Sequence, residues 1–194
     1  MLKSSSGIGR ASQLRWAPLG RASIRHAVSG SRGRPTLMLH EMGGTLESWD
    51  LVLEHLPEDQ AVIRCDMRGA GGSEKIRREI TCDELVEDLL ALLDHLGVAE
   101  AVDVAGVALG GSLGLRLAAR YPQRVHRLVA INPPTEAAGR SGEVLLERAR
   151  AADELGMRGV VDLALARSYP EHLRTNMNVY EQYVARFITN DPTS

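Results

Sequence analysis

Gly106-Val107-Ala108-Leu109-Gly110 stands between an apolar strand-like run, Ala101-Val102-Asp103-Val104-Ala105, and a helical pattern of Leu113, Leu115, Leu117, Ala118 and Ala119. Glycines at both ends of such a junction predict a sharp strand-to-helix turn, because a Cβ at either place would meet the strand or helix packed beside it. The spacing is that of a nucleophile elbow, Gly-x-Ser-x-Gly, whose central residue is strained and lifts its side chain above the sheet. Here that residue is alanine. A methyl group can be neither deprotonated nor acylated, so a covalent serine mechanism at position 108 is excluded. The plain alternative is a packing turn without chemistry, and the remainder of the chain favours the elbow.

From residue 12 onward, strands and helices alternate, as they do in a mainly parallel sheet wrapped by helices. Leu14 to Ala17 and Ala22 to Val28 read as an entry hairpin around the Pro18 to Gly20 turn. Thr36 to Leu39 and Ala61 to Cys65 read as buried strands, with a helix near Leu46 to Leu56 between them. Thr81 with Glu84 three residues later forms a capping box, and Leu85, Leu89, Leu92 and Leu96 share one helix face until Gly97 ends it. A strand follows at Arg127 to Ile131. After Asn132-Pro133-Pro134 only helices are expected, around Glu143 to Leu155, Val160 to Arg167 and Asn178 to Ile188, laid over the sheet as a lid.

The 194 residues suffice for one sizeable core, and 44% hydrophobic with 25% charged residues is ordinary globular composition. A net charge of −2 leaves no electrostatic footprint for nucleic acid, and no apolar run is long enough to span a bilayer. A small molecule is therefore the expected partner. Residues 1 to 40 hold seven Lys or Arg and no acid, a composition that can imitate a transit segment. Against that, Ile24 to Val28 already alternates like a strand. Two cysteines, Cys65 and Cys82, are read as reduced structural thiols of a cytoplasmic protein. No His, Cys and carboxylate cluster has metal-ligand spacing, so no metal and no cofactor is expected.

Three motifs in order carry a family resemblance. His40-Glu41-Met42-Gly43-Gly44 follows a strand, Asp66-x-Arg68-Gly69-x-Gly71-x-Ser73 follows the next, and the elbow is third. Together they resemble the α/β-hydrolase superfamily, specifically a 3-oxoadipate enol-lactonase-like hydrolase. Gly156-Met157, Arg167-Ser168-Tyr169-Pro170 and Asn190-Asp191-Pro192 are similar to the cap of such enzymes. The resemblance covers nearly all of residues 22 to 194. It implies an α/β-hydrolase fold: a mainly parallel sheet flanked by helices, incomplete on its C-terminal side, with a core over residues 12–132 and a helical lid over 133–194.

The resemblance also assigns roles. Backbone N–H groups of Leu109 and Met42 would stabilise a developing oxyanion, and Ala108 would hold the nucleophile position. Met42, Glu41 and Val107 would contact substrate. Glu41 stands where the family usually has glycine, and a carboxylate beside the hole opposes negative charge unless it turns away or is protonated. It is read as an outward-turned loop acid, with activation of a water the alternative. His40 is read as fixing the loop, not as the general base, since the family's catalytic histidine follows the cap. Asp66 and Arg68 are expected to hold the Gly69 to Ser73 turn. Ser112 points along the helix and is not expected to replace the nucleophile.

In the family the acid and histidine of the triad follow the lid, so the sequence reads as a piece of a longer protein, the alternative being a shortened gene product whose last strand near Val129 would leave an open sheet edge. The function implied is hydrolysis of a small lactone, ester or carbamate-like substrate, water-mediated or lost because of Ala108. The alternative is a non-catalytic ligand-binding or regulatory protein on a hydrolase scaffold. A relative that carries alanine in an Ala-Leu-Gly elbow, the aminoacrylate hydrolase of pyrimidine degradation, is similar here and points to attack by water.

Overall fold

The structure, a computed structural model, describes residues 12–135 and 140–192. The first eleven residues of the basic stretch 1–40, the lid residues 136–139 and the last two positions of the expected lid therefore lie outside the described residues.

Six strands form one sheet: β1 (Leu14–Pro18), β2 (Ser23–Ser29), β3 (Arg32–Leu39), β4 (Gln60–Cys65), β5 (Val102–Val107) and β6 (Val125–Ile131). Their order is β1-β2-β4-β3-β5-β6. The hairpin strands β1 and β2 run antiparallel, β2 is antiparallel to β4, and β4, β3, β5 and β6 are mutually parallel. The sheet is mixed and open, with β6 at one edge, where Val129 and Ile131 are exposed.

Among the described residues five α-helices flank it: α1 (Asp50–Leu53), α2 (Cys82–His95), α3 (Leu109–Arg120), α4 (Arg140–Ser168) and α5 (Met177–Ile188). The capping box at the start of α2 is present: Glu84 N donates to Thr81 Oγ1 at 3.2 Å and Thr81 N to Glu84 Oε2 at 2.9 Å. One face of α2 buries Val86, Leu89, Leu92 and Leu93 against β5 and α3 residues such as Val104 and Leu113. Each such side chain contributes about 1.5–3 kcal/mol on burial, so this packing is the main reason the helix stays on the sheet.

Some details differ from the sequence reading. The helix expected over Leu46 to Leu56 is a 3₁₀ turn, Leu46–Trp49, followed by only the four residues of α1. β3 starts four residues earlier than expected, with Pro35 inside it and a shift of register against β4 between Arg32 and Thr36. The two lid helices expected around residues 143–155 and 160–167 are arms of α4, bent at Gly156, whose φ of 69° and ψ of 178° are not helical. The lid has its own small core, in which Val160, Leu165 and Phe187 are buried. No helix among the described residues is long and apolar enough to cross a membrane.

Candidate active site

Strand order places the site. After β3 the chain goes to β4 on one side, and after β4 it crosses back to β5 on the other. The carboxyl ends of β3 and β5 therefore feed loops that diverge, and such a switch point leaves a crevice where ligands bind in open α/β sheets. The loop after β3 carries His40 to Gly44, and the turn after β5 is the elbow.

Ala108 joins β5 to α3 with φ 48° and ψ −115°, a conformation rarely tolerated outside glycine. Its N–H donates to the Ile131 carbonyl at 2.9 Å, and its own carbonyl accepts from Ser112 N at 3.0 Å, so neighbours on both sides hold the turn. A Cβ on Gly106 would collide with the Gly110 backbone, and one on Gly110 with the Leu39 carbonyl. Backbone approach thus requires both glycines of the motif, and the strain falls on the residue between them. A non-glycine residue so placed costs of order 1–3 kcal/mol. Ala108→Gly is accordingly expected to raise the melting temperature by ~2–4 °C after the entropy cost of glycine is deducted. A lower melting temperature by calorimetry would show that the turn is unstrained.

A cavity of about 350 Å³ lies between these loops and the lid. Met42 and Leu109, the two expected oxyanion donors, both line it. Leu109 is the first residue of α3, so its N–H has no acceptor within the helix. The turn bond of the other loop runs from Gly44 N to Glu41 O at 3.0 Å and leaves the Met42 amide unused in it. The rest of the floor comes from the turn after β4, and the roof from lid residues such as Leu145, Met157 and Phe187.

Ala108, Glu41 and Val107 are not part of this cavity wall. Val107 packs against the cluster of Met38, Trp49 and Leu53. Glu41 is half-buried, neither an outward-turned acid nor a cavity group: Oε1 accepts from Ser48 Oγ at 3.0 Å and from the Tyr183 hydroxyl of α5 at 2.9 Å. Burial, and then the adjacent Glu41 carboxylate, push the Tyr183 phenol far above its ordinary range, so it stays a proton donor to Glu41. His40 Nδ1 lies 2.7 Å from the Glu41 carbonyl, and Met67 N donates to Nε2 at 3.0 Å. That pattern requires the proton on Nδ1 and leaves neither nitrogen to act as a base. Ser112 is also committed, its hydroxyl donating to the Pro134 carbonyl at 2.5 Å.

The turn after β4 is built on Asp66, which is fully buried. Its carboxylate accepts from Leu46 N and Gly72 N and pairs with Arg25 Nη1, all at 2.8 Å. Arg68 does not bond the turn's backbone but clamps Asp88 of α2 with Nε at 2.8 Å and Nη2 at 2.5 Å. Burial pushes the Cys65 thiol up to about 12, so this thiol stays protonated and inert. Sequence reasoning passed over Asn190 as a contact residue: its side chain donates to the Gly43 carbonyl and accepts from Gly71 N, both at 2.9 Å, and so ties the lid to both loops.

The sequence profile of the alpha/beta hydrolase fold matches residues 35–186, which is most of the chain. The chain belongs to that family. Among curated relatives of this α/β-hydrolase, 3-oxoadipate enol-lactonase 2 of Acinetobacter baylyi is 30% identical over 148 residues, 75% of this chain and 54% of that protein. RutD of Azorhizobium caulinodans, named as a carbamate hydrolase, is 30% identical over 174 residues, 89% of this chain and 65% of that protein. The chain therefore spans between about half and two thirds of the length of these relatives. Among solved structures, the enol-lactonase of Burkholderia xenovorans LB400 superposes with a TM-score of 0.85 at 26% identity, over 92% of this chain and 69% of that one.

Proposed function

We propose that this α/β-hydrolase binds a small lactone, ester or carbamate-like substrate under its lid and hydrolyses it by direct attack of water. The observation that carries the reading is the elbow itself. Its strained turn is kept at Ala108, and Leu109 and Met42 line one cavity, although the side chain that would form an acyl-enzyme is absent. Backbone donors act on an oxyanion whatever the side chains beside them, and a single such donor is worth roughly 10²–10³ in rate. In this scheme the substrate carbonyl oxygen accepts hydrogen bonds from the two amides while water adds to the carbonyl carbon and gives up a proton to solvent water; the tetrahedral intermediate then collapses to the acid and expels the alcohol, enol or amine, which takes a proton from solvent. His40 is not the proton acceptor, since both ring nitrogens are engaged. The relatives' names support a lactone or carbamate substrate, and the cavity volume supports a small one.

The missing nucleophile also favours a second reading, in which the same cavity only binds a ligand. Turnover decides between them. Full-length protein mixed with an enol-lactone and with p-nitrophenyl acetate is expected to hydrolyse substrate steadily, with no initial burst and no mass adduct on the chain. Ligand-induced stabilisation without any hydrolysis would replace the first reading by the second.

A further inference from the structure

Arg148 projects from the first arm of α4 into the cavity wall, and its charge is unanswered. Its Nη2 donates to the Leu163 and Ala164 carbonyls of the second arm, at 3.1 and 3.5 Å, and its Nε is buried with no partner. On its own helix the positions three and four residues away are Val144, Leu145, Ala151 and Ala152, so no acid can pair with it there. The other ionisable groups of the wall are already satisfied. Arg68 is clamped to Asp88, Asp191 pairs with Arg77 at 2.9 Å, and both ring nitrogens of His40 are engaged in hydrogen bonds. Among the described residues, Arg148 is thus the charged group of this cavity without an opposite charge. Its surroundings are apolar: Leu145, Ala149, Ala152 and Met157 line the wall on the same side.

A guanidinium with a buried, unbonded N–H is expensive to keep beside an apolar cavity unless something brings it an acceptor. The planar fork of arginine is shaped for a carboxylate. We propose that Arg148 selects the ligand: the molecule taken under the lid carries a carboxylate that pairs with Arg148 in the roof while its carbonyl faces Leu109 and Met42 in the floor. This deepens the proposed function and rests on it, narrowing a small acyl compound to a small acyl compound with a free acid. A neutral ester or lactone of equal size would bind more weakly, because it would bring no opposite charge to the guanidinium. The rival account is that Arg148 serves only to join the two arms of α4 through the Leu163 and Ala164 carbonyls.

Binding of isosteric probes to the full-length protein separates these accounts. Hexanoate and hexanamide have the same shape and differ in charge, and isothermal titration at pH 7 measures each. Wild-type protein is expected to bind hexanoate at least about tenfold more tightly than hexanamide, which corresponds to ~1.4 kcal/mol, with an advantage that shrinks as salt is raised. Arg148→Met is expected to abolish the preference while leaving hexanamide binding within about twofold, and Arg148→Lys to keep part of the preference, as a charge without the fork would. Circular dichroism and melting temperature check that each variant is folded. If wild type binds both probes equally, or if Arg148→Met weakens both alike in a folded protein, the carboxylate assignment is overturned and the small-ligand reading stands. Binding of neither probe to wild type overturns both.

Discussion

Full-length protein carrying Ala108→Ser is expected to hydrolyse p-nitrophenyl acetate at least about 100-fold faster than wild type, a gain of ~2.7 kcal/mol in the barrier. It should also accumulate an acetyl adduct on residue 108, visible by mass spectrometry. The backbone needed for a nucleophile is already in place. Residue 108 holds φ 48° and ψ −115°, its N–H is tied to the Ile131 carbonyl, and the glycines that allow the turn stand at 106 and 110. The added oxygen enters a turn that a Cβ already occupies, next to Leu109 at the cavity wall. Removing a nucleophilic serine from a working site costs up to about 10⁶-fold and leaves a residual ~10³–10⁴-fold over water from oxyanion donors and binding. The reverse change is smaller, because proton removal from the new hydroxyl depends on a base that His40 cannot supply. Kinetics with and without hydroxylamine, which captures an acyl-enzyme, measures the covalent share. A folded Ala108→Ser protein with no rate gain and no adduct would mean that the elbow presents its side chain to no reactive position, and the hydrolytic reading would lose the support it takes from the elbow.

The elbow was legible in the sequence because its determinants are local. Gly106 and Gly110 are required by collisions with a backbone only a few residues away or on the adjoining strand, and that requirement leaves a fixed spacing. The α2 capping box was legible for the same reason, since it acts within one helical turn. A mainly parallel sheet followed from alternating strands and helices, whereas the strand order did not. Side-chain destinations did not. Arg68 finds Asp88 twenty residues away, and Glu41 finds Tyr183 across 142 residues, through a lid whose docking no local pattern specifies. An acid in a loop usually faces solvent, but the half-buried Tyr183 holds the Glu41 carboxylate inward. The isolation of Arg148 was present in the sequence, in the apolar residues three and four positions to either side, yet it acquires meaning only once the cavity is seen beneath it. Extents of short elements were the least legible: α1 is only one turn, with Trp49 and Leu53 packed on Met38 of β3 and Val62 of β4.

The largest effect on folding is expected at Asp66. Asp66→Ala should destabilise the protein by about 4 kcal/mol, read as a lower urea midpoint with an unchanged slope. Three losses coincide there. The amides of Leu46 and Gly72 lose their acceptor in a site without solvent, each at about 1–3 kcal/mol. Arg25, itself mostly buried at 13% side-chain exposure, keeps only Glu47 as a counter-charge. The losses overlap, because one collapsing turn relieves more than one of them, so their sum exceeds the expected total. Asp66→Asn tests the electrostatic part: it keeps the shape and one acceptor oxygen but turns an amide N–H₂ toward a backbone N–H or toward Arg25, and should recover no more than half the loss. The turn also carries Gly71, whose N–H holds the Asn190 side chain of the lid. Ligand affinity under the lid should therefore fall in the alanine variant even at temperatures where it remains folded. A loss under about 1 kcal/mol would mean that water replaces the carboxylate, which the complete burial of Asp66 does not allow without opening the loops that floor the cavity.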